Sequence, residues 1–92
     1  MIVGVLRVAF SIPGSTSLKD KRRLVQSLLT RLHQLRVAAA EVDAQDNMRR
    51  AELAVACVST GVRHVHQILS RALALAQRET EMVLIDHEME VR

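Results

Sequence analysis

The residues from position 17, Ser-Leu-Lys-Asp-Lys-Arg-Arg, set Lys19, Lys21, Arg22 and Arg23 beside a single acid, Asp20. Ser17 reads as a helix N-cap with Asp20 three residues on, a capping box with Asp in place of Glu. A helix entrance carries a partial positive charge and favours acids by ~0.3–1 kcal/mol each. Four cations crowded there cost stability unless an anion or an acidic neighbour offsets them. Free backbone N–H groups, serine hydroxyls and basic side chains in one place suit a phosphate. The competing reading is a solvated basic face, paired locally with Asp46, Glu79 or Glu81.

Other reactive residue types point to no chemistry. His64 and His66 are two apart on a predicted helix and face different directions, while His33 and His87 sit on other elements, so no metal site is expected. Cys57, between Ala56 and Val58 in a predicted strand, reads as a buried thiol and not a nucleophile. Ser15 and Ser17 have no nearby histidine base, and capping accounts for Ser17. Asp86, Glu88 and Glu90 share one strand face, where pairing of Asp86 or Glu88 with Arg7 explains them more simply than acid–base catalysis. The turn Pro13-Gly14-Ser15-Thr16 lacks the arginine that an acyl-phosphate hydrolase would place after its first strand. No catalytic residue, cofactor or metal is therefore expected, and a non-enzymatic module is.

Composition narrows the partners. The chain has 92 residues, 49% hydrophobic and 25% charged, the mixture of a soluble globular protein with room for one domain. No apolar run approaches the ~18 residues of a membrane span, and the start lacks the basic region and cleavage site of a signal peptide. One cysteine excludes an internal disulfide, so the cytoplasm is the expected compartment. Phe10 is the only aromatic residue, which removes any base-stacking surface. The net charge of +3 is uneven: residues 1–40 carry +6, residues 41–78 carry +1 and residues 79–92 carry −4.

Six elements must position these groups. Ile2 to Ile12 alternates as a strand, with Ile2, Leu6, Val8, Phe10 and Ile12 on its buried face. Leu24, Val25, Leu28, Leu29, Leu32 and Leu35 recur at helical spacing, predicting a helix over residues 18–35. Residues 37–44 predict a short edge strand, residues 45–50 a polar connection, and residues 51–59 a strand burying Leu53, Val55 and Cys57. Ser59 or Thr60 is expected to cap a second helix with Val62, Val65, Ile68, Leu69, Ala72, Leu73 and Ala76 as its stripe. Residues 82–91 predict a last strand in which Val83, Ile85, Met89 and Val91 oppose Leu84, Asp86, Glu88 and Glu90, with His87 on the apolar side.

The order β-α-β-β-α-β over residues 1–92 predicts one ferredoxin-like α+β plait: a four-stranded antiparallel sheet, order 4-1-3-2, with two helices on one face. That topology brings Ser15, Ser17, Lys19, Lys21 and Arg22 to the loop Gln45–Arg50 and to Arg78, Glu79 and Glu81, on one rim. It also leaves an open sheet face of Val3, Val5, Ala9, Ala54, Ala56, Val58, Met82 and Leu84 around Arg7. A homodimer is expected to cover part of that face or the unpaired edge of the second strand.

The opening MIVGVLRVAFSIPGSTSLKDKRR and the segment AAAEVDAQDNMRRAELAVACVS resemble the YlxP-like family, bacterial domains of unknown function. The likeness covers essentially the whole chain, with SLKDKRR at 17–23 its most specific element and A-E-V-D-x-Q-D at 40–46 the second. Family members commonly carry a Trp in the following loop, where this chain has Asn47-Met48-Arg49-Arg50. The resemblance implies the same plait and transfers no catalytic residue. Its genes often neighbour those of elongation, initiation and ribosome-maturation factors, which implies an RNA or ribosome connection.

The expected function is accordingly a module contacting structured, ribosomal RNA by phosphate and shape. Its expected surface comprises Ser17, Lys19, Lys21, Arg22, Arg23, Gln45, Asp46, Arg49 and Arg50. The alternative is a protein-interaction or small-anion-sensing module that uses the same rim or the open sheet face.

Overall fold

Alternation of side chains sets the first strand. In the computed structural model, which describes residues 1–92, β1 (Ile2–Ser11) buries Gly4, Leu6, Val8 and Phe10 and leaves Val3, Val5, Arg7 and Ala9 half-covered. The chain continues through α1 (Leu18–His33), β2 (Ala38–Asp43), β3 (Arg50–Ser59), α2 (Val62–Gln77) and β4 (Val83–Val91). The sheet order is β2-β3-β1-β4 with every neighbouring pair antiparallel. This is the ferredoxin-like plait that the element order predicts. Between sheet and helices lies an aliphatic core of 18 residues, in which Phe10 supplies the one ring.

Several boundaries differ from expectation, each for a local reason. Helix α1 stops at His33, two residues early, because the chain must turn back: Arg36 adopts a left-handed φ of 61° before β2. Leu35 still packs against the core from that turn. Ala44, with φ 60°, ends β2 one residue early. The N-cap of α2 is Gly61, which offers no side chain, and not Ser59 or Thr60. Ser59 remains paired with Ile2 at the end of β3, and its hydroxyl lies 2.9 Å from His64 Nδ1. Val62, expected in the buried stripe, is half-exposed, whereas Val65, Leu69, Ala72 and Ala76 are buried.

The last strand holds the largest correction. A register shift falls between Ala9 and Phe10: Ala9 faces Asp86, but Phe10 faces Leu84, so Ile85 is an extra residue. Such a bulge exchanges the two faces of a strand. Met82 is consequently buried and Leu84 packs against the core, while Val83 goes to the open face. His87 faces Val8 across the ladder yet is exposed at the sheet edge.

Glycine in a strand interior usually marks a close approach. A Cβ added to Gly4 would lie 2.3 Å from Val65 Cγ1 and 2.9 Å from Leu69 Cδ1. Gly4 is thus the seat on which α2 rests, and Val65, branched at Cβ, has little freedom to swing aside. We expect Gly4→Ala to destabilise the protein by about 1–3 kcal/mol in urea titrations. In a Val65→Ala background that penalty should shrink, and an equal penalty in both backgrounds would refute the steric account.

Candidate nucleic-acid interface

Lys21, in the first turns of α1, is fully buried, and its ammonium lies inside the molecule rather than on the surface. Nζ donates to the Ala44 carbonyl at 2.5 Å and the Gln45 carbonyl at 3.3 Å, and sits 2.8 Å from Glu41 Oε2. The Glu41 oxygen is close but off the hydrogen-bonding direction, so that contact is Coulombic. Lys21 therefore leaves the expected phosphate surface. Its signal was present in the spacing: position 21 precedes buried Leu24, Val25 and Leu28 by three, four and seven residues, one face of a helix.

This buried amine fastens the entrance of α1 to the turn after β2, and the rim assembles as the topology predicts. Ser17 accepts from the Asp20 N–H at 3.0 Å, the expected cap. Arg49 Nε reaches the Ser15 carbonyl at 3.4 Å, and its backbone N–H donates to Asn47 Oδ1 at 2.9 Å. Ser15, itself buried, donates its hydroxyl to the Ser17 carbonyl at 3.1 Å. From the far end of α2, Glu81 comes within 3.9 Å of Arg23. Gln45 and Asp46 are exposed on the turn, and the Gln45 carbonyl serves Lys21.

The cations divide into two groups. Arg23 pairs with Asp20 at 2.9 Å, and this hydrogen bond first, then Coulombic attraction, pushes its guanidinium further up. Arg31 reaches back along α1 to bind Glu79. Lys19, Arg22, Arg49 and Arg50 are exposed and have no carboxylate within 4.0 Å. Across the chain eight of 13 Lys and Arg residues lack such a partner, whereas only Asp43 and Asp46 of the ten acids lack a cation. The local-pairing alternative thus accounts for Arg23 and Arg31 and leaves Lys19, Arg22, Arg49 and Arg50 without a carboxylate, as it does Arg78 on the same rim.

The open sheet face has the opposite character. Arg7 binds Glu52 on β3 and, on β4, Glu88 at 3.2 Å and Asp86 at 3.6 Å. The hydrogen bonds it donates, to Glu88 first and then to Glu52, push its guanidinium up. The pairing with Asp86 and Glu88 agrees with expectation. Glu52 lies 45 residues away, and only the strand register reveals it. Cys57 is buried, and desolvation pushes its thiol up against a weaker opposing bond from the Gly4 backbone. No group of three or more His, Cys, Asp or Glu residues is placed to hold a metal ion, and no helix is long and apolar enough to cross a membrane.

Over residues 3–89 the sequence matches the family described as Protein of unknown function (DUF503), and the chain belongs to that family. A search of curated proteins returns no match.

Two expectations follow from these environments. Lys21→Met strands a carboxylate and two carbonyls, and should cost about 3–5 kcal/mol in urea titrations, whereas Lys19→Ala should change stability by no more than about 0.5 kcal/mol. Equal small effects would contradict the buried ion pair. Cys57, kept as thiol by burial, should react with a disulfide reagent at least about tenfold more slowly in native than in denatured protein.

Proposed function

We propose that this family member is a non-enzymatic module that binds structured RNA, ribosomal RNA above all, through the rim at the entrance of α1. Lys19, Arg22, Arg49 and Arg50 meet phosphates, and Arg23 contributes with the 64% of its side chain that pairing leaves exposed. Gln45 and Asp46 flank them on the turn, and the Ser17 hydroxyl is held by the helix cap. The single observation that carries the reading is this group of unneutralised cations, contributed by two distant stretches of chain that Lys21 fastens together.

Phosphate and shape are the means of recognition that the surface supports. Phe10 is fully buried, so no ring is free to stack on a base. A small anion is less well served: the hollow at the helix entrance is lined by Ser17, Lys19, Asp20 and Arg23, and Asp20 places a carboxylate inside it. An extended phosphate backbone touches the outlying cations without entering that hollow. The resemblance of SLKDKRR and its flanks to the YlxP-like family, with its ribosome-linked gene neighbours, supports ribosomal RNA over other folded RNA.

Filter binding to ribosomal RNA across a salt series tests this directly. Affinity should fall steeply with salt, and Lys19→Ala combined with Arg22→Ala should reduce the slope of log K against log salt by about 2. No binding at low salt, or a double variant that binds as the parent does, would overturn the proposal.

A further inference from the structure

Two strands of the sheet, β2 and β4, have a neighbour on one side only. The outward backbone groups of β2 follow from the ladder. The Ile12 N–H donates to the Arg49 carbonyl, continuing a register in which Phe10 faces Ala51 and Val8 faces Leu53. Bonded and non-bonded pairs alternate in antiparallel ladders. The odd-numbered residues of β3 therefore bond to β1, and its even-numbered residues, Ala54 and Ala56, bond to Ala40 and Ala38 of β2. The N–H and C=O groups of Val37, Ala39 and Glu41 consequently point away from the sheet. Among them, only the Ala39 carbonyl has a side-chain partner, a His33 ring nitrogen at 3.2 Å.

The two edges differ in their protection. On β4 the bulge at Ile85 breaks the regular row, and Asp86, Glu88 and Glu90 stand on one face. Pairing β4 with its own copy about its middle would set carboxylates against carboxylates. Strand β2 has its own bulge at Val42, but this lies beyond the outward groups of Val37, Ala39 and Glu41, and the strand has neither Pro nor Lys over Ala38–Asp43. When Ala39 faces Ala39 of a second copy, Ala38 faces Ala40 and Val37 faces Glu41, and no carboxylate opposes another.

Charge makes the edge self-complementary. Arg36, at the entry to β2, has no carboxylate within 4.0 Å, and Asp43, at its exit, has no cation. Asp43 only accepts the N–H of Ala44, at 2.7 Å. An antiparallel pairing lays each Arg36 beside Val42 and Asp43 of the other copy, twice by symmetry.

We propose that a second copy of this chain docks on β2, the two β2 strands pairing antiparallel about a twofold axis at Ala39 to form one continuous sheet. About six backbone hydrogen bonds result, two for each facing pair of outward residues. The Ala39 carbonyl keeps His33 on one lone pair or exchanges it for the partner's N–H.

Size-exclusion chromatography with light scattering on nuclease-treated protein tests this, with folding followed by circular dichroism. The expected mass at high concentration is twice 10.3 kDa. Ala39→Pro removes the N–H at the axis without touching a bond to β3, and should weaken association on the order of tenfold or more. Arg36→Glu and Asp43→Arg should each weaken it, and the two together should restore it. A monomer at every concentration, or a dimer that all these variants leave intact, overturns the proposal. Because no nucleic acid is involved, failure here leaves the RNA reading standing, and failure of RNA binding leaves the dimer standing.

Discussion

One ammonium group, fully enclosed, holds the rim in place. Taking an ion out of water costs several kcal/mol, and only close, well-directed acceptors recover that cost. Lys21 donates to two carbonyls and has the Glu41 carboxylate 2.8 Å away as its counter-charge. Those carbonyls belong to Ala44 and Gln45, where the chain takes a left-handed step out of β2. The contact thus couples the start of one helix to the turn after β2, beside the longer bond from Arg49 Nε to the Ser15 carbonyl. The free cations on either side owe their proximity to a cation that is not itself available.

Charge is sorted between the two sides of the sheet. On the helical side, Lys19, Arg22, Arg63, Arg71 and Arg78 are exposed without carboxylate partners. On the open side, Glu52, Asp86 and Glu88 gather around Arg7, one cation among three acids. The pairing of Arg7 draws on three strands at once, so it reports on sheet register as much as on charge. Val58 and Val83 lie exposed on that same face, so the open side is both apolar and acidic.

Much of this was legible in the chain, and the exceptions have identifiable physics. The alternation of Leu6, Val8 and Phe10 and the helical recurrence of Leu24, Leu28 and Leu32 announced their elements, because burial selects one face and the period names the element. The rim was readable once the topology was, since antiparallel order dictates which ends meet. Lys21 was misread because lysine is almost never fully buried, and residue type outweighed a spacing that pointed inward. The bulge at Ile85 left no mark, since an extra residue in an alternating run looks the same as continued alternation until a partner strand is known. Glu52 escaped for the same reason. Gly61 as a bare cap shows that a helix can start without side-chain help when tertiary packing supplies the stability.

The sorting of charge has a dynamic corollary. A body with unpaired cations on its helical side and a carboxylate cluster on its open side carries a dipole between the two. In the field of a polyanion such a body feels a torque before it feels a contact, turning the Arg7 cluster away. For a polyanionic partner this torque acts over roughly one Debye length, ~8–10 Å at physiological salt.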